Sequence, residues 1–309
     1  MTGSLRIGLV GLGKIARDQH LPAIEKTHGG DIVAIATRNA VHETVPVFYD
    51  AETMIREGPE IDAVVMCQPP QARFSAAWAA LQAGKHVFLE KPPGATVAEV
   101  TALAALAQER GVTLFASWHS RHAAAVAAAR AWLAARTLTR ATITWKEDVR
   151  HWHPGQDWIF QAGGMGVFDP GINALSILTA VVPEPVRVTE ARIQTPSNRQ
   201  APIAASLTMA TASGKPIAAE FDFLQTGKQT WDIVLETEQG TAVLGEGGNK
   251  LTIDGEEQSS PPEEEYPALY RHFLDLVAQG RSDVDISPLQ LVADAYLCGR
   301  NTPTEPFEF

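Results

Sequence analysis

Hydrophobic positions along this chain follow one rhythm up to about residue 120 and another after it. In the first stretch, short unbroken apolar runs alternate with longer amphipathic segments. That is the pattern of strands buried on both faces and of the helices that cover them. Residues 5–10, 31–36, 45–48, 61–67, 86–89 and 112–116 read as strands. Helices are expected from about Lys14, over 71–83 with Gly84 as the stop, and over 96–110 with Gly111 as the stop. This alternation predicts a mostly parallel, doubly wound sheet.

After residue 120 one more helix, 123–135, is nearly all alanine and apolar, and then the period shortens to two. Strands are expected at 141–147 and 186–194. Two more, 203–212 and 216–223, flank Ser213-Gly214-Lys215, and another two, 231–237 and 241–244, flank Glu238-Gln239-Gly240. Successive hairpins of this kind make an antiparallel sheet. Residues 250–253 add an edge strand inside a glycine- and glutamate-rich, solvated stretch, 245–262. Two helices close the chain, 266–279 and 287–300. The second carries Leu289, Val292, Ala293, Tyr296 and Leu297 on one face. No internal repeat is visible.

Chemistry concentrates where the predicted strands of the first half end. Gly11-Leu12-Gly13-Lys14-Ile15-Ala16 follows the first strand and opens a helix. In that context G-x-G-x-x-A is a dinucleotide fingerprint: a tight turn, close backbone approach to a pyrophosphate, and a small residue where helix meets strand. The helix start adds N–H donors for the phosphates. The second strand ends at Thr37-Arg38-Asn39, with no acid for a ribose 2′-hydroxyl. Thr37 and Arg38 can instead take a 2′-phosphate, which favours NADP with NAD also accepted; the alternative is a solvated Arg38. The fifth strand ends at Glu90-Lys91-Pro92-Pro93, where the prolines stop the ladder. These four residues alone are equally consistent with a surface ion pair. The strand order, however, puts Lys91 on the same edge as Gly11 and Arg38. On that edge Cys67, Pro69, Gln71, Glu90 and Trp118 are further expected cofactor neighbours.

In the second half, residues 145–158 mix Trp145, Glu147, Asp148, His151, Trp152, His153 and Trp158 in an irregular loop. Indole faces and hydroxyl-binding carboxylates and imidazoles suit a sugar, although a surface loop with aromatic packing has the same composition. Asp169-Pro170 reads as a helix start, so Asp169 and Asn173, four apart, share a face; a simple N-cap is the other reading of Asp169. The glycines at 163, 164, 166 and 171 allow close backbone approach.

Composition narrows the classes. The chain has 309 residues, enough for two domains. A formal net charge of -11 without a basic stripe argues against nucleic acid as a partner. Cys67 and Cys298 are too few for a disulfide framework and read as core thiols. A strand almost at the N-terminus and no apolar run of roughly 18 residues predict no signal peptide, no membrane and a cytoplasmic location. His151 and His153 lack a third ligand at a familiar spacing, so no metal is expected.

Three motifs in this order, G-x-G-x-x-A, E-K-P and G-G-x-G-x-x-D-x-G-x-N, resemble the glucose–fructose oxidoreductase / inositol dehydrogenase (Gfo/Idh/MocA) family along the whole chain. The resemblance implies an α/β protein: a Rossmann domain (1–120), then an α/β domain (121–309) with an open, mainly antiparallel sheet. That sheet would serve substrate binding and a homodimer, and the C-terminal helix would pack back on the Rossmann domain. It implies a catalytic role for Lys91 and Asp169. The family's usual histidine is Asn173 here, and Asn cannot accept a proton. The segments 118–121, 145–150, 152–155 and 167–173 are more narrowly similar to bacterial L-arabinose 1-dehydrogenases and D-galactose 1-dehydrogenases. Those oxidise C1 of an aldose to the aldonolactone. L-Arabinose and D-galactose differ by one hydroxymethyl group, which a roomy pocket distinguishes only by roughly 1–3 kcal/mol.

On that resemblance Lys91 and Asp169 handle the proton of the C1 hydroxyl as a pair, either one being the base, with Asn173 orienting it. His119, Glu147, Trp152, His153 and Trp231 bind the remaining hydroxyls and the ring face. The same fold also serves non-catalytic sugar or nucleotide sensors, and another sugar or polyol is the alternative substrate.

Overall fold

A computed structural model of the chain describes residues 4–38, 42 and 44–309. Asn39, at the end of the motif read after the second strand, lies outside them. The chain divides into two compact units: the part up to His119 together with Glu265–Ile286, and Ser120–Glu264 together with Ser287–Phe309.

In the first unit six strands lie in one sheet: β1 (Arg6–Val10), β2 (Asp31–Ala36), β3 (Val47–Phe48), β4 (Ala63–Met66), β5 (His86–Leu89) and β6 (Leu114–Ala116). Their order is β3-β2-β1-β4-β5-β6 and every pair is parallel. The unbroken apolar runs are buried on both faces, as a parallel sheet requires. One face carries α2 (Ala51–Glu57), α3 (Phe74–Gln82) and α4 (Val97–Arg110), around a core of Met54, Val64, Met66, Leu81, Val87 and Leu103. Thr96 and Glu99 form a reciprocal capping box that fixes where α4 begins.

The opposite face is covered by α1 (Leu21–Thr27) and, from far along the chain, by α8 (Glu265–Gln279). Tyr266, Leu269, Tyr270, Phe273, Leu276 and Val277 recur at helical spacing and bury against Ile7, Leu9, Phe88 and Phe115. Tyr270 stacks on Phe88 with ring centroids 5.2 Å apart. The helix that follows the glycine turn opens as expected near Lys14, but its turn Ala16–His20 is a π-turn, with Leu21 N–H reaching Ala16 O. Such wide turns are frequent at functional sites; here His20 is fully buried.

The second unit contains a nine-stranded sheet among the described residues. Its strands are β7 (Leu138–Lys146), β8 (Val186–Pro196), β9 (Ala204–Thr211), β10 (Pro216–Asp222), β11 (Thr230–Thr237), β12 (Gly240–Gly245), β13 (Lys250–Ile253), β14 (Glu256–Gln258) and β15 (Gly299–Thr304). The order is β14-β13-β12-β11-β7-β10-β9-β8-β15. Both expected hairpins form. Ala141, Ile143 and Trp145 alternate inward on β7, and Ile217, Ala219 and Phe221 on β10. Among the helices α5 (Val126–Ala134), α6 (Val149–Trp152), α7 (Phe168–Val181) and α9 (Ser287–Cys298), α7 packs on β7 and β11, and α9 on β8.

Four local expectations are corrected. β7 runs parallel to β10, and β15 parallel to β8, because neither pair is joined by a hairpin. The strand 250–253 is not an edge, since β14 pairs outside it. β15, rich in threonine, asparagine and arginine, gave no hydrophobic alternation to read. On α9 the buried face is Leu289, Leu291, Val292 and Ala295, whereas Leu297 is 83% exposed and Cys298 is exposed rather than a core thiol.

Two glycines at the start of α7, Gly166 before it and Gly171 in its first turn, meet the chain itself. Gly166 has φ 53°, and a Cβ there would collide with the carbonyl of Pro202. A Cβ on Gly171 would stand 2.9 Å from the Phe221 ring. Close packing on neighbouring backbone and core, not only room for a ligand, therefore requires these small residues. Gly166→Ala is expected to destabilise by about 2 kcal/mol or more, a fall in Tm of about 5 °C. Gly214→Ala, with φ 87° but nothing within 4 Å, should cost clearly less. Thermal melts of the two variants check this; equal shifts would contradict the packing argument.

Candidate active site

Each unit carries its own cluster of polar side chains. In the first, a cavity of about 480 Å³ runs along the C-terminal ends of β1, β2 and β4, lined by Gly11, Gly13, Thr37, Arg38, Cys67, Gln68 and Pro69. Gly11 has φ 91°, and a Cβ on it would stand 2.8 Å from Gln68 N. A Cβ on Gly13 would meet nothing within 4 Å, so that glycine presents bare backbone to open space. Volume and open backbone fit the phosphate part of a dinucleotide. Ala16 is fully buried under the turn, Lys14 pairs with Asp18 on the helix surface, and Ile15 is exposed. Asp50 and Glu52 also line the cavity, but the Asp50 carboxylate accepts from Thr53 N at 2.7 Å as the cap of α2. Gln71 is exposed on the short turn Pro70–Ala72 and does not line this cavity.

Beyond β5 the chain turns at Glu90-Lys91-Pro92, with a cis bond before Pro92. Lys91 is half-buried. Glu90 is 3% exposed; its Oε1 accepts from Tyr266 Oη at 2.5 Å and lies 3.4 Å from His20 Nε2. His20 Nδ1 is 2.8 Å from Tyr270 Oη. Burial is the largest influence on Glu90 and works against its charge, but His20 and Tyr266 outweigh it and hold the carboxyl down to about 2. Burial likewise disfavours a charged His20. The Cys67 sulfur and the Glu90 carboxylate outweigh it and raise the imidazole to about 10. The two form a buried ion pair at neutral pH.

Arg73, 2% exposed, donates to the main-chain carbonyls of Glu90 and Pro92 and, at 2.5 Å, of Gln68. At the end of β6, buried Trp118 donates its indole N–H to Asp285 O at 2.9 Å. Next to it His119 Nδ1 is 2.6 Å from Glu265 Oε2, and its ring stacks on Tyr266 at 5.4 Å.

The second unit gathers residues that the sequence scatters over more than eighty positions. Glu147 is 5% exposed at the end of β7, and its Oε2 accepts the indole N–H of Trp231 at 2.9 Å. His153 Nε2 lies 3.7 Å from Glu147 Oε1 and 3.9 Å from Asp169 Oδ2. Asp169 is 7% exposed in the first turn of α7, which begins at Phe168; Asn173 follows one turn later, half-buried. Trp152, 44% exposed, meets Trp231 edge-on with ring centroids 5.4 Å apart. The result is two buried carboxylates with an imidazole between them, beside a pair of indoles. Among the described residues no group of three His, Cys, Asp or Glu is arranged to hold a metal ion.

Known proteins carry the same architecture. The model of an oxidoreductase family with an NAD-binding Rossmann fold, GFO_IDH_MocA, matches residues 5–117. Galactose 1-dehydrogenase of Pseudomonas fluorescens is 46% identical over 303 residues, 98% of each chain. The chain belongs to the Gfo/Idh/MocA oxidoreductase family. A crystal structure of a D-galactose-1-dehydrogenase from Rhizobium etli, 55% identical, superposes with a TM-score of 0.95 and covers 100% of this chain and 99% of that one. KijD10, a 3-ketoreductase from Actinomadura kijaniata solved with NADP and TDP-benzene, shares the fold at a TM-score of 0.82 and 19% identity, over 98% of this chain and 100% of that one.

Within this family member, sequence reading missed His20, Arg73, Glu265, Tyr266 and Tyr270. The signal available was weak: Tyr266 and Tyr270 share the apolar face of α8, and tyrosines on a core face want partners for their hydroxyls. The sign of the buried pair's contribution follows from its shifts. Glu90, depressed from 4.5 to about 2, stabilises above pH 4.5 and loses this as pH falls through 2. His20, raised from 6.5 to about 10, stabilises below pH 6.5 and loses this as pH rises through 10. The stability gap between wild type and Glu90→Gln should therefore be widest between pH 4.5 and 6.5, at about 3 kcal/mol, and narrow on both sides. Urea unfolding across pH checks it; a gap constant with pH would contradict the ion pair.

Proposed function

We propose that this oxidoreductase is a sugar 1-dehydrogenase that oxidises C1 of D-galactose and of L-arabinose to the aldonolactone, with NADP as preferred acceptor and NAD also used. The observation that carries the reading is the buried Glu147–His153–Asp169 cluster beside Trp152 and Trp231. A carboxylate already fixed by one indole N–H keeps lone pairs for sugar hydroxyls, and the indoles offer faces to the ring's C–H patches. Similarity to galactose 1-dehydrogenases over nearly the whole chain supports it.

When bound in the glycine-lined cavity, NAD(P) supplies the acceptor for the hydride leaving C1. The chain's own residues hold the sugar and take the proton of the C1 hydroxyl. Lys91 and Asp169 handle that proton between them: one accepts it while the other steadies the charge developing on oxygen. Asn173 donates or accepts a hydrogen bond to orient the hydroxyl but takes no proton. His119, Glu147 and His153 bind other hydroxyls. Thr37 and Arg38 bind the 2′-phosphate of NADP, and the open face of the second sheet serves a homodimer. No helix among the described residues is long and apolar enough to cross a membrane.

The decisive measurement is kcat/KM for a panel of aldoses with both cofactors. D-Galactose and L-arabinose should both turn over, within about 200-fold of each other. No reduced cofactor from any aldose, with sugar binding retained, would leave a sugar sensor instead. Lys91→Met should lower kcat by about 10³-fold while cofactor affinity stays within about threefold. Arg38→Ala should raise KM for NADP by about 10-fold or more and leave NAD unchanged; equal losses for both would refute the phosphate contact.

A further inference from the structure

Arg73 sits in an unusual position. Its guanidinium is buried, yet no carboxylate is hydrogen-bonded to it. Its donors go to three main-chain oxygens, of Glu90 and Pro92 on either side of Lys91 and of Gln68 on the wall of the glycine-lined cavity. Its Nε has no partner among the described residues. Burial pulls the group down to about 10, with Glu90 and Cys67 offsetting only part of this. A desolvated charge with an unsatisfied N–H is a poor way to stabilise a core, where apolar side chains of similar volume do as well or better. What a guanidinium offers that they do not is a rigid planar fork of five donors, able to grip several carbonyls at once.

We infer that Arg73 is a positioning residue: it ties the Glu90–Lys91–Pro92 turn to the Gln68 turn, and so fixes the Lys91 backbone in register with the cavity that receives the cofactor. It touches neither sugar nor cofactor. The inference rests on the proposed role of Lys91. A lysine side chain at 73 keeps the charge but replaces the planar fork with one ammonium, which cannot reproduce the three-carbonyl grip. A misplacement of about 1 Å at a reacting group costs on the order of 10²-fold in rate.

The test compares Arg73→Lys, Lys91→Met and the double variant in the whole protein, with D-galactose and NADP. Active sites are counted by NADPH fluorescence titration, so misfolded protein does not enter kcat. Arg73→Lys should lower kcat per NADPH-binding site by about 30- to 100-fold, with the dissociation constant for NADPH changed less than about threefold. The double variant should be no slower than Lys91→Met alone, because Arg73 acts through Lys91. Should Arg73→Lys fail to fold, Arg73→Gln, whose amide nitrogen carries two donors, is read the same way. A crystal structure of the variant should show the Lys91 main chain displaced. A kcat per site within about threefold of wild type, or a further loss in the double variant, would overturn the inference while leaving Lys91's role intact. Turnover surviving in Lys91→Met would overturn that role and the inference with it.

Discussion

Glu90 keeps a carboxylate charged where water does not reach, and the first unit is arranged around making that tolerable. His20 comes from the π-turn after the glycine motif, and Tyr266 from a helix 176 positions further along the chain. Tyr270, one turn beyond Tyr266, holds the other nitrogen of His20. The network thus fastens α8 to the sheet by polar bonds as well as by the stacking of Tyr270 on Phe88. In a low-dielectric interior such bonds are strong, and each unpaired member would be costly. The residue that follows Glu90 is Lys91, so the same network limits where the backbone of that lysine can go.

Carboxylates in the two units are used in opposite ways. The charge of Glu90 is met from inside by tyrosine and imidazolium donors. Glu147 and Asp169 are almost as buried; among the described residues Glu147 accepts one short bond, from the Trp231 indole, and His153 stands off both carboxylates at nearly 4 Å. On the proposed reading, the Glu147 carboxylate, with lone pairs beyond that one bond, suits a hydroxyl-rich ligand that completes the hydrogen bonding water would otherwise supply.

Most of the fold was legible because it is written locally. Strand 86–89, the glycine turn, the helix over 96–110 and both hairpins depend on residues near one another in sequence. What stayed hidden depends on distant partners. Arg73 reads as an ordinary charge in the first turn of the helix expected over 71–83, and only the carbonyls of residues 68, 90 and 92 make it a buried clamp. The parallel pairing of β7 with β10 leaves no turn signal, and β15 has no hydrophobic alternation to announce it. Of the site, the residues of the second-unit cluster were named mainly through the family resemblance, since the mixed Trp, His and Glu loop by itself points only to a sugar-type site. The supports behind Lys91 and His119 were not, because tyrosine, histidine and glutamate on a helix face look like core and surface.

The asparagine at 173 bears on the chemistry in a way the surrounding geometry sharpens. An amide can orient a hydroxyl but cannot carry its proton away. Within the second unit the candidate acceptors nearest to α7's first turn are Asp169 itself and His153, and His153 already stands between two carboxylates. On the proposed reading the proton is therefore left to Lys91 and Asp169, one accepting it while the other steadies the oxygen. Fixing Lys91 through Arg73 then matters for a definite reason: electrostatic stabilisation requires the charge to be in place before the oxygen becomes negative.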